Sequence, residues 1–105
     1  MPYYLVYITT KDEAEARKIG KALVAERLAA GVNIYPIESI YWWEGEIKEH
    51  GEMAMLVKTR AELATKVTAR VKELHSYKVP CIVGLPIEKG YPGFLKWRGT
   101  IPFCR

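Results

Sequence analysis

Two histidines, two cysteines and a handful of polar side chains carry whatever chemistry this 105-residue chain can perform. His75 is the foremost candidate metal ligand, because a neutral imidazole suits Cu(II) or Zn(II). One imidazole is not a site, however, and a symmetric assembly would gather copies only if His75 lay near its axis. The ordinary role of a histidine closing a helical run is to engage the last carbonyls and the helix dipole. His50, in Glu49-His50-Gly51, falls at an irregular point of an exposed hairpin. Met53 and Met55 share a strand face. Paired thioethers can hold Cu(I), but alternating methionines more commonly fill a core or an interface. Cys81 and Cys104 are too few for a disulfide framework and show no CxxC spacing, so they read as two reduced, packed thiols. Trp42, Glu44, Lys58 and Tyr77 supply an indole, a carboxylate, an ammonium and a phenol. Together they could bind a small polar ligand in a cleft between subunits. Equally, they could form an interface salt bridge beside a buried tyrosine. No Ser/His/Asp set and no glycine-rich phosphate loop is evident, so neither enzymatic activity nor a required cofactor is expected.

The elements that must position these groups follow from periodicity. Tyr3 to Thr10 is a β-rich run and the first strand. Asp12 then offers an N-cap, with Glu15 completing a capping box. Ala16, Ile19, Leu23 and Ala30 recur at helical spacing, which predicts a helix from Asp12 to Ala30 with Gly31 as its C′ residue. Val32 to Trp43 is a second strand, in which Pro36 marks a bulge or an edge. After a turn at Gly45 a third strand reaches Thr59, with His50-Gly51 as another irregular point. Leu63, Val67, Val71 and Leu74 define one face of a second helix, Ala61 to His75. Cys81 to Ile87 is a short fourth strand. Gly90 to Gly93 is a turn, and Phe94 to Trp97 begins a short C-terminal element. The order β-α-β-β-α-β predicts a single α+β domain over residues 1–105, a ferredoxin-like sandwich with both helices on one face of an antiparallel sheet.

Such a sheet should alternate apolar and polar residues. Here it does not. Tyr3, Leu5 and Tyr7 point one way and Tyr4, Val6 and Ile8 the other; Met53, Met55 and Val57 oppose Ala54 and Leu56. Two helices cannot cover both faces, so a symmetric oligomer is expected. The second and third strands are also long enough to project as an arm carrying Tyr41, Trp42 and Trp43, aromatics suited to a protein interface. The alternative is a hairpin curled onto its own sheet.

Tyr41-Trp42-Trp43-Glu44-Gly45, Glu26-Arg27-Leu28-Ala29-Ala30 and Val32-Asn33 resemble the CutA family of divalent-cation tolerance proteins. Lys58-Thr59-Arg60, His75-Ser76-Tyr77-Lys78-Val79-Pro80 and Phe94-Leu95-Lys96-Trp97 continue the resemblance in the same order over nearly the whole chain. The resemblance implies a tight homotrimer in which hairpins and C-terminal strands cross between subunits, with Tyr41, Trp42, Trp43 and Trp97 at the interface. It also implies a link to tolerance of copper and other divalent cations, and hence Cu(II) or a similar ion as a possible partner. The family's copper reading uses a cysteine near the end of the first strand and a histidine pair. Here Ile8 and Leu74 stand at the first-strand position and the first of the pair, leaving His75.

Other functions fit less well. The net charge of +4 comes from Lys11, Arg17, Lys18 and Lys21 interleaved with Asp12, Glu13 and Glu15, and similar alternation elsewhere, a solvated pattern and not a nucleic-acid stripe. An RNA-recognition domain shares the element order, but its aromatic third strand is replaced here by Gly51-Glu52-Met53-Ala54-Met55-Leu56-Val57-Lys58. No nucleic-acid partner is therefore expected. A trimeric small-molecule sensor, analogous to the PII signalling proteins of the same topology, is the competing reading and rests on fold analogy. No apolar run approaches the roughly 18 residues of a membrane span, and no secretory leader is read, so a cytoplasmic protein is expected. Eleven of the twelve acids are Glu, Asn33 is the one Asn and Gln is absent, a composition that points to heat adaptation. The expected melting midpoint by circular dichroism is above about 60 °C, and a lower midpoint would count against that compositional reading.

Overall fold

The computed structural model describes residues 3–95. Strand β1 (Tyr3–Thr10) leads into helix α1 (Glu13–Ala25), then the paired strands β2 (Gly31–Trp43) and β3 (Glu46–Arg60). One 3₁₀ turn (Ala61–Leu63) opens helix α2 (Ala64–Leu74), and strand β4 (Ile82–Ile87) follows. The sheet order is β2-β3-β1-β4 with every pair antiparallel, which is the ferredoxin-like arrangement expected. Residues 92–95 form one further helical turn, in which the N–H groups of Phe94 and Leu95 donate to the Tyr91 carbonyl. Trp97 and Cys104 lie outside the described residues.

Both helices pack on one side of the sheet. Ala16, Ile19 and Leu23 of α1 and Val67 and Val71 of α2 cover Val6, Ile8, Met55 and Val57, all essentially buried. This is the period-3.6 stripe of each helix meeting the period-2 face of each strand. The opposite face presents Leu5, Tyr7 and Leu56 half-buried, with Tyr35, Val83 and Leu85 exposed. The sheet is therefore apolar on both sides and covered on one.

Three local expectations need correction. Helix α1 ends at Ala25, five residues early, because Arg27 takes a left-handed conformation at φ 61°. The Leu28 N–H then donates to the Leu23 carbonyl at 2.9 Å and the Arg27 N–H to the Val24 carbonyl at 3.0 Å. Those two bonds satisfy the helix end as a Schellman motif, with Arg27 in the place usually taken by glycine. Gly31, free of that duty, starts β2. Secondly, Pro36 sits on an edge strand as expected, but it makes no bulge: Pro36 faces Met53 in a register that runs unbroken from Gly31–Lys58 to Trp43–Glu46. His50 and Gly51 hold that register too, opposite Ser39 and Glu38, so they are not irregular points. Thirdly, Cys81 is a free thiol but exposed, not packed.

The hairpin does not curl back. Glu44 and Gly45, at φ 50° and 81°, make a two-residue turn of type I′, whose twist matches that of the strands and keeps the arm straight. The arm draws the molecule out to 45 × 26 × 21 Å, with a radius of gyration of 14.3 Å against about 13 Å for a compact chain of this size. Ile40, Trp42 and Ile47 stand 59–72 % exposed along it.

One buried carboxylate ties the helix layer to the loop after α2. The Asp12 carboxylate caps α1 by accepting the Glu15 N–H at 2.8 Å. The Glu15 carboxylate, itself only 8 % exposed, accepts the N–H groups of Lys11 at 3.1 Å and of Ser76 at 2.7 Å. Burial works to raise the Glu15 pKa, but the hydrogen bonds from Ser76 and Lys11 outweigh it and hold the group below its ordinary 4.5. A depressed folded-state pKa stabilises the fold above that ordinary value, and the contribution is lost as pH falls through the depressed one. Glu15→Gln is expected to lower stability by about 1–2 kcal/mol at neutral pH and to flatten the acid limb of the denaturation profile at fixed protein concentration. Superimposable wild-type and variant pH profiles would remove Glu15 from this role.

Candidate functional site

The segment leaving α2 is pinned by its own first residues. His75 ends the helix with an extended backbone. Its Nε2 lies 2.7 Å from the Thr9 carbonyl, and the Tyr77 N–H donates to its Nδ1 at 3.0 Å. A carbonyl can only accept, so Nε2 carries the proton and Nδ1 is the acceptor: the ring is neutral and both nitrogens are engaged. With Ser76 held by Glu15, these bonds turn Tyr77 back over the open face of the sheet. There its hydroxyl donates to the Glu52 carboxylate at 2.6 Å.

The result is a groove of about 870 Å³ between the root of the hairpin and the segment after α2. Tyr7 and Thr9 of β1 lie in its floor with Glu52 of β3; Ile37, Tyr41 and Trp43 of β2 make one wall and Tyr77 and Cys81 the other. His50 joins the hairpin wall. Its Nδ1 faces the Gly51 carbonyl at 3.1 Å, which leaves Nε2 to accept the Tyr41 hydroxyl at 2.5 Å. Glu52, 8 % exposed, is the most buried charged group of the groove, whose lining also includes Glu38 and Lys78. Burial first, and then the hydrogen bond and charge of Glu52, push the Tyr77 phenol far above its usual range. Although Cys81 as a residue is exposed, partial desolvation of its sulfur in the groove and the Glu52 charge raise the thiol, against a hydrogen bond with Thr9. Cys81 is therefore a protonated thiol at neutral pH, poorly suited to nucleophilic attack or to metal as a thiolate.

The residues singled out from sequence are only partly united. Tyr77, Tyr41 and Trp43 meet in the groove, joined by His50. Trp42 is 72 % exposed on the other face of the arm, and Glu44 sits in the turn at its tip. Lys58 lies at the opposite end of β3, paired with Leu5 and Gly31, its ammonium 5.8 Å from the centre of the Phe94 ring. One chain does not bring Trp42, Glu44, Lys58 and Tyr77 together. His75 is half-buried beside Tyr77, with ring centroids 4.8 Å apart, and would have to release Thr9 or Tyr77 to accept a metal. Among the described residues no three His, Cys, Asp or Glu side chains cluster as metal ligands. Met53 and Met55 face the helices, Met55 fully buried, so they are core. The residue that sequence reading passed over is Glu52. Its signal was an acid on the same strand face as Ala54 and Leu56, where alternation called for an apolar side chain.

Comparison with known proteins agrees with this architecture. Residues 4–100 match the CutA1 divalent ion tolerance protein family. The divalent-cation tolerance protein CutA of Archaeoglobus fulgidus is 50 % identical over 92 residues, covering 88 % of this chain and 90 % of that protein. Its Thermus thermophilus counterpart is 52 % identical over 94 residues, covering 89 % and 91 %. A solved structure of the Archaeoglobus fulgidus protein, described as a periplasmic divalent cation tolerance protein, superposes with a TM-score of 0.92 at 46 % identity, over 97 % of this chain and 99 % of that one. In sequence and in fold alike, the chain belongs to the CutA family of divalent-ion tolerance proteins.

Proposed function

We propose that this chain serves divalent-cation tolerance as a homotrimer, joined through the uncovered sheet face and the hairpin arms. The observation that carries the assembly is the apolar face opposite the helices. Tyr35, Val83 and Leu85 are exposed on it, and the arm beside it exposes Ile40, Trp42 and Ile47. At about 25 cal/mol per Å² of apolar surface, covering these side chains is a large driving force that a monomer leaves unused. Among the described residues both edge strands, β2 and β4, also have no further strand beside them, which leaves backbone groups that a neighbouring copy can satisfy. Trp97, beyond the described residues, belongs to the same interface in this reading.

The metal part of the reading is one of weak contact, with Cu(II) or another divalent cation as cargo and no resident cofactor. One chain lacks a cluster of three ligands among its described residues, and both nitrogens of His75 are committed. Symmetry-related or surface groups are then what a cation meets. The protonated Cys81 thiol and the neutral, fully engaged His75 favour a binding protein over an enzyme. The groove at Glu52 and Tyr77 favours the second reading, a trimeric small-molecule sensor.

Sedimentation at micromolar concentration is expected to give a species of three times the 12.0 kDa chain. A stable, non-aggregating single chain would sink the assembly. Calorimetry with Cu(II) and Zn(II) on wild type and His75→Ala tests the ligand. Because both His75 nitrogens are engaged, weak and closely similar isotherms are expected, and loss of binding in the variant would make His75 a ligand.

A further inference from the structure

His75 is held in a pattern of bonds that only one charge state can make. Its Nε2 donates to the Thr9 carbonyl at 2.7 Å, and its Nδ1 accepts the Tyr77 N–H at 3.0 Å. A proton added at Nδ1 turns that acceptor into a second donor. Two N–H groups then face each other, and the Tyr77 bond is lost while the Thr9 bond stays. Both ring nitrogens are filled from within the chain, so a neighbouring copy can add no hydrogen bond to them. The pattern is therefore the same in one chain and in an assembly.

The charges around the ring pull the other way. Helix α1 brings Glu15, a buried carboxylate that interacts electrostatically with His75. The ring also closes a helix, where the last carbonyls favour a cation. Strand β1 brings the Thr9 carbonyl and carries no charged side chain. The ring's own segment brings Tyr77, whose ring centroid is 4.8 Å away and whose raised phenol pKa keeps it neutral through the range in which imidazole titrates. Strand β3 brings Glu52, which lies beyond that phenol and accepts its hydroxyl. Lys72 stands in the last turn of α2, and Lys11 reaches the cluster through its backbone N–H, which donates to Glu15. Glu15 and the helix end thus favour the imidazolium, whereas the Tyr77 N–H requires the neutral ring. Opposed demands on one ring make a two-state element.

We propose that His75 is a proton-operated latch: neutral, it ties the backbone at Tyr77 into place, and protonated, it lets that segment go. Imidazole is the side chain that ordinarily changes charge between about pH 5 and 8, so the latch opens under mildly acidic conditions that leave carboxylates ionised. Ser76 stays on Glu15, so the freed chain begins at Tyr77. No regular structure holds it between there and Ile82, and the bond from the Tyr77 hydroxyl to Glu52 is the tie that remains. The device needs neither a bound metal nor the assembly.

The test is made by NMR on the purified full chain with no metal added. The ring nitrogen shifts of His75 report its charge. Hydrogen exchange reports the Tyr77 amide, as a protection factor corrected for the intrinsic pH dependence of exchange. From about pH 8 to about pH 5, Tyr77 protection is expected to fall roughly tenfold, the effect of one lost hydrogen bond, over the interval in which Nδ1 gains its proton. The Ser76 amide is expected to keep its protection. His75→Gln, which offers Thr9 a donor and Tyr77 no acceptor, is expected to show the low Tyr77 protection throughout. Glu15→Gln removes the negative charge beside the ring and is expected to move the step to lower pH, a shift that a merely packed ring would not show. Constant Tyr77 protection while the ring titrates overturns the proposal on the wild type alone, as does a ring that stays neutral down to about pH 5. Loss at Ser76 by the same factor marks a general opening and also overturns it. Sedimentation of the same samples reports assembly separately, and a step seen in a single chain supports the latch and defeats only the assembly.

Discussion

Two helices can cover one face of a four-stranded sheet, and this sheet is apolar on both. The covered face is a conventional core, with Ile8, Met55 and Val57 sealed by Ile19, Leu23, Val67 and Val71. The other face repeats the same strand chemistry without a second layer, so Tyr35, Val83 and Leu85 remain in contact with solvent. Domains are ordinarily closed by two or three layers around each apolar surface. Among the described residues the second face has no such layer, and in the proposed assembly a neighbouring copy supplies it.

The segment after α2 shows how such a sheet can still carry a defined site. It has no regular structure of its own between Leu74 and Ile82, yet three of its residues are fixed by groups from three different elements. Glu15 of α1 takes the Ser76 N–H, the Thr9 carbonyl of β1 takes the His75 ring, and Glu52 of β3 takes the Tyr77 hydroxyl. The imidazole is the pivot, since the Tyr77 N–H bonds back to it. A histidine at a helix end is thus spent on architecture, in line with its ordinary role, although the carbonyl it serves belongs to β1 and not to its own helix. Hydrogen bonds of this kind are what give a site borne on a loop a defined geometry.

The element order, the sheet topology and the apolar character of both strand faces were legible because they depend on periodicity, which a single sequence displays. Helix ends were less so. Nothing in Glu26-Arg27-Leu28 announces a left-handed arginine; the turn arises because Leu28 must reach the core beside Leu23 while Ala30 reaches the Lys58 carbonyl. Tertiary demands overrode the preference that pointed to Gly31. The irregular point at His50-Gly51 and a bulge at Pro36 are absent for a different reason, whereas the edge position read for Pro36 holds. Pro36 lacks an N–H, but its strand is at the sheet edge, where a donor can be missing without disturbing the ladder. The groove was the least legible feature. Glu52 and Tyr77 are 25 residues apart in sequence, and their meeting depends on how far the chain swings back after α2.

The straightness of the arm decides which ligand sets are possible. A type I′ turn and an unbroken register hold β2 and β3 together over 13 and 15 residues, so positions near the tip and positions near the base stay far apart. From Glu46 to Lys58 the strand covers roughly 40 Å at about 3.3 Å per residue. No rotamer change closes that distance. Trp42 and Glu44 therefore cannot share a site with Lys58 of the same chain, whereas Tyr41, Trp43 and Tyr77 line one groove that runs along the arm. Any cleft that unites the tip residues with Lys58 has to take the tip from one copy and the base from another. The same geometry makes the Glu52 groove different in kind. Its floor and both walls come from a single chain, so its chemistry is present in each subunit before any partner arrives.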